Sequence, residues 1–180
     1  MIKKFYYSLV SMKYVYFMFG IPLLIFTVAF IETRKKLEVF RYIMMFLAVL
    51  LGIVLFFYYR DKMKISKQLK NVDDINKYER GGVVDRSWVL EDRVLCCKDL
   101  TVCEVISKDV DEVSVEMDTR GKTILHLHVK DQLVDMSALS KEEAERFVAY
   151  LKRKNPNVIL NGVEPKGNGT LKELGAGIQV

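Results

Sequence analysis

Apolar and polar positions alternate with three different rhythms along this chain. The first third carries two long apolar runs, Tyr14–Ile31 (YVYFMFGIPLLIFTVAFI) and Tyr42–Tyr59 (YIMMFLAVLLGIVLFFYY), each 18 residues without a charge. At the helical rise such a run covers roughly 27 Å, close to a hydrocarbon core of roughly 30 Å. Tyrosines stand at the ends of both runs, where ring and hydroxyl suit a lipid–water boundary. The expectation is a membrane anchor in residues 1–60, with helices at about 14–31 and 42–59. Two buried core helices would need more covering chain than the charged remainder offers. A cleavable leader, with Lys3, Lys4 and Lys13 before it and Thr27-Val28-Ala29 as the cleavage site, would have a shorter apolar run.

A helical rhythm follows in Arg60–Tyr78, where Ile65, Leu69, Val72 and Ile75 recur at helix spacing. This predicts a connector helix over 61–80, ended by Gly81-Gly82. Lys62, Lys64, Lys67 and Lys70 would then lie at the membrane interface. Within the second run Ala48 and Gly52 are four residues apart, a small face for close helix packing, either against the first span or in a homodimer. Pro22, just after Gly20, would kink the first span.

From residue 81 the rhythm becomes that of strands. SWVL and RVLCC flank the tight turn Glu91-Asp92, TVCEVIS follows, and VDEVSVEMD alternates strictly between Val113, Val115, Met117 and Ser114, Glu116, Asp118. Gly121 sits in the turn before TILHLHVK, and QLVDMSAL is the last predicted strand. A helix then begins at Ser140-Lys-Glu-Glu143, a capping box, with Ala144, Phe147, Val148 and Leu151 as its apolar stripe. Lys152, Arg153 and Lys154 suit the negative end of its dipole, and Pro156 follows the stop. The glycine-rich residues 161–180 read as a flexible tail.

Charge changes the picture in one respect. The formal net charge is +5, but much of it flanks the two runs. Lys3, Lys4 and Lys13 lie before them and Arg60, Lys62, Lys64, Lys67 and Lys70 after, against Arg34, Lys35, Lys36 and Arg41 between. That bias predicts a two-span protein of the inner (cell) membrane, N- and C-termini cytoplasmic, with the lipid bilayer as one partner. Three cysteines, two of them adjacent, make a poor disulfide framework and agree with a reducing compartment. No recognition helix or patch with interleaved aromatics argues for nucleic acid.

Candidate chemistry concentrates in two places. Cys96, Cys97 and Cys103 lie in RVLCCKDLTVC, and His126 and His128 in ILHLHVK. In the latter, Leu125, Leu127 and Val129 form the core face, so both histidines point outward. Cys96 and Cys97, adjacent on a strand, face opposite ways, and Cys103 can neighbour only one of them. Four converging zinc ligands are therefore not expected, nor is any other metal or cofactor. No Gly-rich phosphate loop, Gly-x-Ser-x-Gly elbow or His-Glu-x-x-His stretch is present, so no catalysis is expected.

The stretches SWVLEDRVL, SKDVDEVSVEM, ILHLHV and SKEEAERFVAYLKRKNPNV resemble bacterial pleckstrin-homology-like (PH-like) domains behind a two-helix membrane hairpin, a family whose members largely lack an assigned activity. The resemblance implies an α+β fold over 81–160: a small antiparallel PH-like barrel or sandwich closed by a C-terminal amphipathic helix. Lipid-binding relatives hold phosphates on a basic first hairpin; here the matching turn is the mostly acidic Glu91-Asp92-Arg93. The function expected is a non-catalytic interaction or assembly module at the inner membrane face, binding a protein or peptide and capable of forming a homo-oligomer. The alternative is a thiol, metal or pH sensor using Cys96/Cys97/Cys103 or His126/His128.

Overall fold

The computed structural model describes residues 1–10, 19–20, 23–24, 26–28, 37–118 and 121–175. The chain divides into two compact units, one formed by Lys4–Ser66 and the other by Lys67–Val180 together with Met1–Lys3. The α-helices that matter for the fold are α1 (Ile2–Leu9), α2 (Leu37–Lys70) and α3 (Lys141–Lys154).

Among the described residues no helix is long and apolar enough to cross a membrane. This overturns the two-span anchor, the inner-membrane placement and the transmembrane hairpin of the expected fold class. Most of the first run lies outside the described residues. The second falls within α2, a single helix of 34 residues. It runs on past Tyr59 into Arg60-Asp61-Lys62. There Lys62 lies 5.8 Å from the centre of the Tyr7 ring and 5.7 Å from that of Tyr58, within cation–π range.

The connector stops earlier than its periodicity suggests. The helix ends at Lys70, and a 3₁₀ turn occupies Ile75–Arg80, with Asp74 accepting from the Asn76 N–H at its start. Ile65, Leu69, Val72 and Ile75 are nevertheless all buried.

Among its described residues the larger unit contains eight strands: β1 (Gly82–Val84), β2 (Ser87–Val89), β3 (Arg93–Lys98), β4 (Thr101–Ile106), β5 (Val110–Met117), β6 (Thr123–Val129), β7 (Gln132–Ala138) and β8 (Ile159–Asn161). They form two separate four-stranded sheets, β1-β2-β3-β4 and β7-β6-β5-β8, rather than a closed barrel. The second sheet is mixed, because β8 runs parallel to β5. The PH-like barrel is thus corrected; only the general α+β class agrees.

Two-residue turns join β1 to β2, β3 to β4 and β6 to β7. Each places its first residue at positive φ, Asp85 at 47°, Asp99 at 53° and Lys130 at 54°, as primed hairpin turns require. The facing sides of the two sheets supply Val94, Cys96, Val105, Val113, Leu125, Leu127 and Met136 to one core. Ala144, Phe147, Val148 and Leu151 of α3 complete it.

The first sheet is covered on its other side as well. Leu95, Cys97 and Val102 share that face and are buried. The last turn of α2 and the segment after it reach the same region: Gln68 Oε1 accepts from the Val102 N–H at 3.1 Å, and Tyr78 donates to Glu104 at 2.7 Å. Val163 and Leu174 of the region read as a tail are buried too, and Leu174 joins the core.

The start of α3 is fixed by Ser140, whose Oγ accepts from the Glu143 N–H at 3.2 Å. Glu143 reaches back to the Leu139 N–H at 2.6 Å and also accepts from the Asp85 N–H at 3.1 Å, tying the helix to the first hairpin. Replacing Ser140 by alanine is expected to cost about 1 kcal/mol, measurable as a lower urea midpoint with an unchanged slope.

Candidate functional site

The tip of the β3–β4 hairpin and the first residues of β7 enclose a cleft of about 450 Å³. Its apolar lining is Cys96, Cys103, Leu133 and Val134, and Lys98, Asp99 and Asp135 carry charge around it. Cys96 and Cys103 lie side by side on the inner face, and Leu133, next to Val134 on β7, is exposed.

A chain of polar contacts runs from the cleft across the outer face of the second sheet. Lys98 Nζ donates to Asp135 Oδ2 at 2.8 Å, and the other oxygen, Oδ1, lies 2.6 Å from His126 Nδ1. His126 Nε2 lies 3.3 Å from Glu116 Oε2. Register accounts for the first pair: His126 is directly opposite Asp135 in the β6–β7 ladder. Partial burial would push the Asp135 carboxyl up, but hydrogen bonds and charge from Lys98 and His126 outweigh it and hold it below the usual carboxylate range.

A depressed pKa makes stability present above the unfolded value and lost as pH falls through the folded one. Asp135→Asn is therefore expected to cost about 1 kcal/mol at neutral pH and progressively less as pH falls below about 4. Urea titrations of both proteins across pH 3–7 would measure the converging difference. Parallel curves would show that Asp135 is not the group responsible.

The structure separates the five residues singled out from the sequence. Cys96 and Cys103 face each other across β3 and β4. Cys97 lies on the opposite side of the sheet, where its N–H donates to Ser87 Oγ at 2.9 Å. Burial pushes all three thiols up, Cys96 well above its ordinary value, helped by Cys103, and Cys97 to about 12. His126 is paired as described, whereas His128 is exposed. Among the described residues, no group of three or more His, Cys, Asp or Glu side chains could hold a metal ion.

Ala48 and Gly52 are exposed on α2, and a Cβ added at Gly52 would meet nothing within 4 Å. Lys62, Lys64, Lys67 and Lys70 are likewise exposed. The sequence reading missed Lys98 and Asp135. The only signal for them was the two-residue spacing of the β6–β7 turn, which sets the register and so selects Asp135 as the partner of His126.

No family model, no curated protein and no solved structure matches this chain. With the sheets forming no closed barrel and no membrane-crossing helix among the described residues, the resemblance to membrane-anchored PH-like proteins is withdrawn. The strand–turn rhythm that suggested it is common to many small antiparallel sheets.

Proposed function

We propose that this protein is a non-catalytic interaction or assembly module that binds a protein or peptide partner, another copy of itself included. The observation that supports this is the apolar surface of α2. Tyr42, Met45, Phe46, Val49, Ile53, Phe56 and Phe57 are all exposed, Phe46 at 64% and Phe56 at 65%. Exposed apolar side chains gathered on one helix mark a surface that a partner covers, since leaving them in water costs roughly 25 cal/mol per Å². Purified in mild detergent, the protein is expected to run as a complex larger than the single chain. The double variant V49E/I53E is expected to release it. A wild-type protein that returns alone and monomeric under these conditions overturns the reading.

A second reading, a thiol sensor, draws support from one observation, the juxtaposition of Cys96 and Cys103. The metal and pH forms of the sensor have no comparable support.

A further inference from the structure

The geometry points to Cys96 and Cys103 as a redox-closable pair: a small-molecule disulfide entering the cleft beside Leu133 oxidises them to a cross-strand disulfide, while Cys97 stays a thiol. This rests on the thiol-sensor reading and is independent of any partner on α2.

The β3–β4 ladder runs without a register shift from Arg93↔Ile106 to the closing pair Lys98↔Thr101, and Cys96 stands directly opposite Cys103 within it. Two steps from a two-residue turn, such a pair exchanges backbone hydrogen bonds, with Cα atoms roughly 5.5 Å apart. Disulfides span roughly 4.4–6.8 Å between Cα atoms. The side chains of opposed residues leave the sheet on the same face, so both sulfurs have one direction to share. Cys97 is opposite Val102 and points through the sheet the other way. It therefore cannot compete.

The two thiols differ in access. Cys96 is 1% exposed and belongs to the core, whereas Cys103 is only partly buried and packs against the core edge. Both line the cleft of about 450 Å³, which opens between β7 and the β3–β4 tip. Cys103 is thus the entry thiol and Cys96 the resolving one.

Written with its electrons, the reaction has two exchanges. The Cys103 thiolate attacks one sulfur of the small disulfide, forming a mixed disulfide and expelling one thiolate. The Cys96 thiolate then attacks the Cys103 sulfur, forming the Cys96–Cys103 bond and expelling the second. The two cysteine protons end on the two departing thiols. The protein loses two electrons and the small disulfide gains them. Because burial raises both thiols, the rate should climb about tenfold per pH unit below their pKa.

The test incubates the full chain with oxidised glutathione, alkylates remaining thiols under denaturing conditions and digests with trypsin. Cleavage after Lys98 separates Val94–Lys98 from Asp99–Lys108, so closure joins two peptides that are otherwise separate. The expected result is a fall from three free thiols to one, with the alkyl group on Cys97. C97S should close as the wild type does, and C96S should stop at a stable glutathione adduct on Cys103. Three thiols surviving, an adduct persisting on Cys103 of the wild type, or a bridge to Cys97 would each overturn the proposal. None of these outcomes bears on whether α2 assembles with a partner.

Discussion

Phe147→Ala is expected to lower the unfolding free energy by about 3–5 kcal/mol, enough to leave a domain of this size largely unfolded in mild urea. Phe147 is fully buried, projecting from α3 into the core that both sheets share. Its ring stacks on that of Tyr150 with centroids 6.2 Å apart. Removing it leaves a cavity between elements tied down independently. Glu143 holds the helix start to Asp85 and Leu139, and Asn155 Nδ2 holds its end by donating to the Val110 carbonyl at 2.8 Å. The helix therefore cannot collapse into the gap, which places the cost toward the upper part of the range. Chemical denaturation of both proteins checks it. A loss below about 1 kcal/mol would mean that the core had rearranged around the missing ring.

Alkaline pH should unfold the protein well before its arginines titrate. Burial pushes the Tyr150 hydroxyl to about 12, with the Ser107 hydrogen bond opposing and nearby Asp92 and Glu91 adding to the rise. Burial likewise takes Cys97 to about 12, and it raises Tyr78 further still, together with Glu104. Each is an acid whose neutral form the fold prefers. Such a group binds its proton more tightly folded than unfolded. Its stabilisation is complete below the unfolded pKa and disappears as pH climbs through the folded one. The loss should begin near pH 9, as thiols of the unfolded chain ionise, deepen past pH 10 with the tyrosines, and reach on the order of 5 kcal/mol by pH 12. Urea titrations under reducing conditions from pH 7 to 11 would trace it. Cys97→Ala should flatten the first part of the fall and Tyr150→Phe the later part. A curve that stays level to pH 11 would show that these groups meet water in the folded protein.

The sequence revealed those elements whose two faces meet different surroundings. The alternation Val113, Val115 against Ser114, Glu116 marks β5 because one side packs on the core. Ser140 and Glu143 mark the start of α3 because an N-terminal amide needs an acceptor there. β1 and β8, three residues each, escaped notice. In β8 only Leu160 packs against the core, while Ile159 and Asn161 are exposed.

The apolar runs misled for a different reason. Composition measures how oily a segment is, and the expectation took the segment boundaries from the absence of charge and from the tyrosines at the ends. In the structure the second run belongs to a longer helix that continues into charged residues. At the candidate site, parity along β3 showed that Cys103 could face only one of the adjacent cysteines. Choosing Cys96 over Cys97 required the register, which the turn Asp99-Leu100 sets. The link from Lys98 to Asp135 joins two different sheets and leaves no local trace in the sequence.

The parallel pairing of β8 with β5 has a consequence for how the chain is made. Glu112 finds its neighbour Ile159 only after the hairpins between them and α3 have been synthesised. Until then one side of β5 carries open amide and carbonyl groups, the kind of edge that recruits strands from other molecules. A nascent or prematurely terminated polypeptide ending before Ile159 would display that edge permanently. Aggregation of such fragments, rather than simple loss of stability, is the hazard that the last few residues of the sheet remove.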